Sequence, residues 1–285
     1  MEFGTILKEI RLNRGYSQLN VSHKIISQGA YSKIEAGTRD LAAVDFIKIA
    51  KRLNLTPDEI EFISNGYEHN TKRQLIKSFF KLNYNDPEKL NQIKEQAMNY
   101  LKIADDVEIR EVYLLCEAQI IISDTEDFDK ARKLIEPIWL RLKTYDQWYL
   151  HDMRLINMML ILYPLDIAIA FTQRVLTRLE DYKAHDDVEQ YRDLYNINLA
   201  LLFIKAGRYH EALQLIENRL KNRKHMTYTM LALNLSRRAI CKKKLNFTDS
   251  YKDHQQAKNV LQAYEATDLL LRIEEEYNKY TSTNL

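Results

Sequence analysis

The residues of this 285-residue chain best suited to binding chemistry are three asparagines, Asn157, Asn198 and Asn234, which lie 41 and 36 residues apart. Each falls near the middle of a predicted helix, at a spacing close to one helical repeat. A side-chain amide donates and accepts hydrogen bonds at once, so a row of amides can bind the backbone of an extended peptide. The spacing indicates such a row, and exposed or capping asparagines are the alternative.

Arginines accompany two of these asparagines at helical spacing, where they share a helix face. A guanidinium group binds a carboxylate through two parallel hydrogen bonds, so these arginines are suited to a peptide carboxylate or acidic side chain. Nine basic residues and no acidic residue lie between positions 218 and 248, and a basic outer face that assists DNA association is the alternative. The candidate peptide-binding residues are Arg154, Asn157, Tyr191, Tyr195, Asn198, Asn234, Arg237 and Arg238.

Patterns typical of enzymes are missing from the sequence. The seven histidines form no HExxH or Glu-x-x-His pair, and the chain has neither a GxSxG motif nor a glycine-rich phosphate loop. We therefore predict no catalytic residue, no metal and no cofactor. Cys116 and Cys241 have no CxxC or Cys/His spacing, which argues against a disulfide scaffold or a zinc module. We expect both to be buried apolar residues rather than redox switches.

The first 65 residues have the pattern of five short helices. Apolar residues recur at helical spacing over about 3–14, 27–36 and 41–53, and Ser17 is placed to cap a short second helix. The run Thr56-Pro57-Asp58-Glu59 is typical of a fifth helix start. The residues expected to face inward from the second and fourth helices are Leu19, Val21, Ile25, Val44, Phe46, Ile47, Ile49 and Ala50.

This segment resembles the helix-turn-helix domain of the phage-repressor or Xre class, through RxxRGYSQ at 11–18, SKIEAG at 32–37 and FIKIAKRLNLTPDEI at 46–60. The resemblance implies that Gln18 touches a phosphate and that the third helix reads bases in the major groove, with Gln28, Gly29, Ala30, Ser32 and Lys33 on or near its exposed face. Six basic residues against two acidic ones between 8 and 39 give a local positive surplus, although the net charge of the chain is only +2. The candidate DNA-binding residues are Arg14, Gln18, Ser27, Gln28, Gly29, Ala30, Ser32, Lys33 and Arg39.

The rest of the chain has the pattern of paired helices. We predict a helix-turn-helix domain over 1–65, a linker over 66–70 and a helical repeat domain over 71–285. Within the last, YNINLALLFIKAGRYHEALQLIENRL at 195–220 resembles a tetratricopeptide repeat. Pro137 and Pro164 are expected to break or kink the pattern. The predicted helical segments are 71–83, 87–103, 107–123, 127–143, 146–162, 165–182, 187–205, 208–223, 226–244 and 248–280.

The helix-turn-helix domain and the helical repeat domain together resemble the Rgg-type, peptide-responsive regulators of Gram-positive bacteria, including the stretch WYLHDMRLIN at 148–157. The resemblance implies an all-α fold, with a five-helix helix-turn-helix domain followed by a right-handed α-solenoid of tetratricopeptide-like pairs. It also implies a homodimer on palindromic double-stranded DNA and a short linear signalling peptide. A protein-binding scaffold tethered to DNA, without a peptide ligand, is the alternative function.

Two further expectations concern location and assembly. The N-terminus lacks the apolar core of a signal peptide, and no apolar run approaches the roughly 18 residues that span a bilayer, so we expect a cytoplasmic protein without membrane contact. An amphipathic C-terminal helix is a candidate dimer interface. Its apolar residues are Leu261, Leu269, Leu270, Leu271 and Ile273.

Overall fold

The computed structural model describes residues 3–82 and 86–282, and every regular element within them is helical. The predicted all-α fold is therefore confirmed. The chain divides into two compact units, Met1–Lys77 and Ser78–Leu285. That division lies within a helix, and the linker over 66–70 stays a prediction. The predicted end of this helix at residue 83 lies outside the described residues.

The first unit contains five short helices before the one that crosses the division. Gly15 and Gly37 adopt φ of +68° and +71° just after the first and third helices, where the left-handed conformation favours glycine. Thr56 Oγ1 accepts a hydrogen bond of 3.1 Å from the Glu59 amide, which caps the fifth. The helices are α1 Phe3–Asn13, α2 Gln18–Ser22, α3 Gln28–Glu35, α4 Ala43–Arg52 and α5 Pro57–Ser64.

A single apolar core joins these five helices. The inward positions of the second and fourth helices are partly wrong in the sequence prediction, because Leu19, Val44 and Ile47 are exposed. A short helix that packs on one side buries only one stripe of side chains, and in α4 that stripe includes Ile49 and Ala50. The buried core residues are Ile6, Leu7, Ile10, Val21, Tyr31, Ile34, Ile49, Ala50, Leu53 and Ile60.

The second unit consists of helix pairs stacked in chain order, and most of its helices pack on their sequence neighbours. The helices over 150–159 and 267–281 instead pack mainly on the helix two places away in the chain. One predicted helix, 248–280, is wrong, because the chain turns at Glu265 (φ +53°) and forms two helices there. The helix that crosses the division is α6 Thr71–Phe80. The helices of the second unit after it are α7 Pro87–Leu101, α8 Val107–Thr125, α9 Phe128–Leu142, α10 Leu150–Met159, α11 Leu165–Leu179, α12 Val188–Lys205, α13 Tyr209–Leu220, α14 Tyr228–Lys244, α15 Ser250–Ala263 and α16 Thr267–Thr281.

The tetratricopeptide-like segment forms α12 and α13. Ala200 and Ala212 are fully buried where the two helices approach, and Gly207 turns the chain with φ of +72°. Pro137 lies inside an uninterrupted α9, so it does not break the pattern as predicted, whereas Pro164 directly precedes α11. The packing positions of this repeat are Leu199, Ala200, Phe203, Ala212 and Ile216, and all are buried.

The apolar face at the C-terminus covers the protein's own core. Leu261, Leu269 and Ile273 are buried in it, Leu270 packs against it, and Leu271 alone of the five predicted dimer residues is exposed. These four residues are therefore wrong as an exposed dimer surface, and the position of the dimer interface stays a prediction. No helix in the described part of the chain combines the length and the apolar composition needed to cross a bilayer.

Candidate DNA and peptide interfaces

Helix α3 presents one polar face to solvent and one apolar face to the core. Gln28, Gly29, Ser32 and Lys33 are exposed, while Tyr31 and Ile34 are buried, as the sequence predicts. Ala30 was expected near the exposed face and is only 8 % exposed, because it shares the inward stripe with its neighbour Tyr31. The exposed residues occupy consecutive turns of one face, which is the arrangement that a helix in a major groove requires.

Glu35, in the last turn of α3, ties that helix to the rest of the first unit. Arg11 Nε and Nη2 donate to its two carboxylate oxygens at 2.6 and 2.9 Å, and Gln18 Nε2 donates at 2.8 Å. A third Arg11 hydrogen bond reaches the Tyr16 carbonyl at 2.8 Å. Burial alone would raise the pKa of Glu35, but the hydrogen bonds from Arg11 and Gln18 bring it below its ordinary value. This network orients α3 against α1 and α2.

The turn before α3 is held from the opposite side by α4. Arg52 Nη1 donates to the Asn20 carbonyl at 2.7 Å, and Nη2 donates to the His23 carbonyl at 3.2 Å. Carbonyls at the end of a helix have no partner within that helix, so a cation there is favourable. Ser27 Oγ then accepts from the Ala30 amide at 3.2 Å and starts α3.

The remaining predicted DNA-binding residues are placed unequally. Arg14 and Arg39 are exposed, and Gly29 has open space where a side chain would lie, so a backbone could approach it closely. Gln18 is half-buried with its amide nitrogen on Glu35, so its phosphate contact stays a prediction. Arg11 and Glu35 neutralise each other, which leaves five exposed cations and one exposed acid between 8 and 39: Lys8, Arg14, Lys24, Lys33, Arg39 and Glu9.

Helix α10, which carries Arg154 and Asn157, is fixed by the turn before it. Arg174 of α11 lies 3.8 Å from the centre of the Trp148 ring, and Arg178 donates to the Trp148 carbonyl at 3.1 Å. The indole nitrogen of Trp148 donates to the Leu142 carbonyl at 3.0 Å. The sequence stretch that carries the family resemblance therefore anchors α10.

A polar cluster joins α10 to α12. Asn198 Nδ2 donates to Asn157 Oδ1 at 3.1 Å, which brings two asparagines 41 residues apart into contact. One turn away, the Arg154 guanidinium lies 5.3 Å from the Tyr191 ring centre and 5.7 Å from that of Phe80. We call Arg154, Asn157, Tyr191 and Asn198 the inner cluster.

Arg154 is the cation of this cluster that remains available. It is half-buried between two aromatic rings and forms no ion pair with any carboxylate of the described residues. The buried Tyr191 hydroxyl makes no hydrogen bond of good geometry within residues 3–82 and 86–282, although Arg154 lies close enough to oppose the rise in its pKa that burial causes. The guanidinium therefore has no carboxylate partner among the described residues, and an added carboxylate could accept two parallel hydrogen bonds from it.

Four predicted peptide-binding residues are engaged elsewhere. Tyr195 is fully buried and donates to the Met153 carbonyl at 2.5 Å, and Asn234 donates to the Met230 carbonyl of its own helix at 2.8 Å. These two residues therefore serve packing. The two arginines are held by side-chain carboxylates: Arg237 by Glu276 at 2.8 and 3.0 Å, and Arg238 by Asp253 at 2.8 and 2.5 Å.

Some of the basic residues between 218 and 248 are likewise held by carboxylates of the fold. Arg219 pairs with Asp193, and Lys242 lies 2.6 Å from Asp249. Phe80, which the sequence prediction missed, belongs beside Arg154, and no periodicity within α10 or α12 could indicate a residue of α6. Burial raises the pKa of both cysteine thiols to about 12, so neither is a reactive thiolate at neutral pH.

Comparison with known proteins identifies the first unit and the fold of the whole chain. Residues 7–60 match the helix-turn-helix family HTH_3. None of the curated protein sequences matches this chain. Among solved structures, a Listeria monocytogenes EGD-e protein described as a candidate transcriptional regulator superposes with a TM-score of 0.75 at 19 % identity, covering 98 % of this chain and 97 % of that one.

Two further solved structures are functionally described. The SHP pheromone receptor Rgg2 of Streptococcus dysgalactiae has a TM-score of 0.69 at 15 % identity, with 97 % of this chain and 99 % of that one covered. PlcR of Bacillus thuringiensis, solved with the peptide PapR7 and DNA, has a TM-score of 0.65 at 19 % identity, covering 94 % of this chain and 98 % of that one. Residues 7–60 thus form a helix-turn-helix domain of the HTH_3 family, and the chain has the fold of Rgg2 and PlcR over nearly its full length.

Proposed function

We propose that this protein is a sequence-specific DNA-binding transcription regulator, active in the cytoplasm as a homodimer, whose activity responds to a short linear peptide bound at the inner cluster. The observation that carries the DNA-binding part is the exposed face of α3, held by the Glu35 network and the carbonyl contacts of Arg52. The structural likeness to PlcR, solved with a peptide and DNA, supports both parts of the proposal.

On α3, Gln28 is suited to the N6 and N7 edge of adenine, and Lys33 to guanine or a phosphate. The full-length protein is first used to select its preferred duplex from a random pool. We expect the double variant Gln28→Ala/Lys33→Ala to lose discrimination between that duplex and a scrambled one, and the salt dependence of its binding to fall by about one phosphate contact. Lys48→Ala is the control, because Lys48 lies on α4 and pairs with Asp45.

An unchanged footprint in the double variant contradicts the assignment of α3 as the reading helix. Loss of binding in Lys48→Ala to the same degree contradicts it as well, since the effect would then follow total charge rather than position. Gln28, Lys33 and Lys48 are all exposed, so we expect each variant to stay folded.

For the peptide, the carrying observation is that Arg154, which pairs with no carboxylate of residues 3–82 and 86–282, lies beside the contact between Asn157 and Asn198. The amides are suited to a peptide backbone and the guanidinium to a terminal or side-chain carboxylate. The peptides to be tested are those encoded by short open reading frames next to the gene. We expect one of them to raise the melting temperature of the wild-type protein, and Asn157→Ala or Arg154→Ala to abolish that shift while basal DNA binding stays unchanged.

Asn196→Ala is the matched control, because Asn196 lies on the same helix as Asn198 and its amide donates to the Arg192 carbonyl of that helix at 2.6 Å. An equal loss of response in Asn196→Ala contradicts the inner cluster as the site. If no encoded peptide changes the stability or the DNA affinity of the wild type, the scaffold function is favoured instead.

The homodimer requires an interface other than the buried C-terminal face. A helix-turn-helix dimer reads two half-sites about 34–36 Å apart, so a selected palindrome of that spacing supports the dimer. A single selected half-site, together with a monomer mass in solution, contradicts it. Peptide and dimer are linked if the peptide changes the mass or the half-site spacing.

A further inference from the structure

Side-chain hydrogen bonds connect the even-numbered helices of the repeat domain in one continuous series. Helices α8, α10, α12, α14 and α16 form the series, and each is joined to the next by at least one such bond. The inner cluster belongs to the second and third members of the series. In order, the bonds are Gln119 Nε2 to the Met158 carbonyl (3.1 Å), Asn198 Nδ2 to Asn157 Oδ1 (3.1 Å), Arg237 Nη1 to the Ile197 carbonyl (2.7 Å) and Arg237 Nε to Glu276 Oε1 (2.8 Å).

The series returns to its starting point. Lys279, near the end of α16, places Nζ 2.8 Å from Oε1 of Glu126, at the end of α8 and 153 residues earlier in the chain. Lys205, the last residue of α12, lies beside the same turn, with Nζ 4.9 Å from the ring centre of Phe128. Five helices whose first and last members meet must curve, and Asn198 of the inner cluster lies about two turns before Lys205 on α12.

Glu126 occupies an unfavourable backbone conformation for its residue type. Its φ of +53° lies in the left-handed region, where a glycine would end α8 without strain. Glu265, at the turn between α15 and α16, has the same φ and is also exposed, but it forms no ion pair within the described part of the chain. A strained residue whose carboxylate closes the helix series indicates a role for that carboxylate beyond ending a helix.

We propose that the ion pair between Lys279 and Glu126 is a clasp that holds the helix series closed and limits access to the inner cluster. Its side chains are 60 % and 71 % exposed, so the pair is weak and opens readily. Access is therefore regulated by salt and by contacts that favour one curvature of the repeats. The clasp matters for signalling only if the inner cluster binds a peptide, as proposed above, but its existence is tested without one.

The probe is a single reactive thiol beside the inner cluster. The full-length variant Phe80→Cys is labelled with a maleimide, because Phe80 is half-buried beside Arg154 and takes no part in the hydrogen-bond series. The native Cys116 and Cys241 stay silent because both are fully buried. Adding Glu126→Gly removes the carboxylate and relieves the left-handed strain, so a faster reaction cannot be ascribed to a weakened fold. Glu265→Gly is the matched control, since it relieves the same strain and removes no ion pair.

We expect Glu126→Gly to speed labelling about two- to fivefold, the range in which an exposed ion pair shifts an equilibrium, and Glu265→Gly to leave the rate unchanged. High salt should speed labelling in the parent and not in Glu126→Gly. The double exchange Glu126→Lys/Lys279→Glu should restore the slow rate. Equal rates in parent, Glu126→Gly and Glu265→Gly overturn the clasp, as does a faster rate in both glycine variants.

The two proposals fail separately. If Glu126→Gly speeds labelling but no encoded peptide stabilises the protein, the peptide site alone is refuted. A peptide response that is the same in the parent and in Glu126→Gly, with unchanged labelling, refutes the clasp alone.

Discussion

The ion pair between Arg11 and Glu35 permits a quantitative prediction about the helix-turn-helix domain. Arg11→Met removes the cation and its three hydrogen bonds. It leaves a carboxylate whose side chain is 2 % exposed, with neutral neighbours such as the Gln18 amide and no cation. Removing one member of a buried ion pair costs about 3–5 kcal/mol, because the remaining charge is no longer compensated. We expect the first unit to lose that much of its free energy of unfolding.

The double variant Arg11→Met/Glu35→Leu should recover most of this loss and lie within about 1–2 kcal/mol of the wild type, since replacing both charges with apolar side chains removes the uncompensated carboxylate. Native-state hydrogen exchange on the full chain measures both effects. The amide of Tyr31, which donates to the Ser27 carbonyl, reports on α3. The amide of Leu245 at the end of α14 serves as an internal reference for the second unit.

A loss below about 1 kcal/mol in Arg11→Met would show that water reaches Glu35 and that the pair is not buried in solution. Equal losses in the single and double variants would show that packing of the arginine stem, not its charge, holds α1 to α3. Either result refutes the account of how α3 is positioned.

Three further predictions concern the core and its titration. Gly4→Ala should destabilise the first unit by about 1–3 kcal/mol in chemical unfolding, because a Cβ at Gly4 would overlap the carbonyl oxygen of Ile34. The hydrogen bonds described above lower the pKa of Glu35 below its unfolded value. The contribution of Glu35 to stability is therefore complete above the ordinary carboxyl range and is lost as the pH falls through the lowered pKa. We expect Glu35→Gln to flatten that part of the curve of unfolding free energy against pH. Cys116 and Cys241, with pKa values raised to about 12, should react with a thiol reagent at pH 8 only as fast as the protein unfolds.

The first unit was largely predictable because its signals are local. The glycines after α1 and α3 and the cap at Thr56 specify helix ends within a few residues of themselves. Inward and outward faces were less predictable for α2 and α4. Apolar side chains at Leu19 and Val44 follow the helical period, yet a helix of five to ten residues contacts its neighbours along a single stripe, and only tertiary packing selects which stripe that is.

In the repeat domain, the sequence spacing located the contact between Asn157 and Asn198, because residues one repeat apart occupy equivalent positions on neighbouring inner helices. The same spacing predicted Asn234 as a third member of the row, but its amide donates a hydrogen bond to a carbonyl of its own helix. A period of about 40 residues fixes which helices are equivalent, but a side-chain amide can turn to a backbone carbonyl four residues earlier, and nothing in the period distinguishes the two outcomes.

The arginines show why a cation that is visible in the sequence need not be available in the fold. Arg154 lies three residues before Asn157 and Arg237 three residues after Asn234, so each shares a helix face with an asparagine. Their environments differ because α16 brings Glu276 to Arg237, whereas Arg154 meets the rings of Phe80 and Tyr191. An aromatic ring attracts a guanidinium by about 0.5–2 kcal/mol and accepts no bidentate hydrogen bond, so Arg154 keeps its capacity for a carboxylate while Arg237 has used its own. Whether an arginine of this pattern stays available is therefore decided by residues that other helices supply: Arg154 on α10 keeps its guanidinium free of carboxylates in the described part of the chain, and Arg237 on α14 does not.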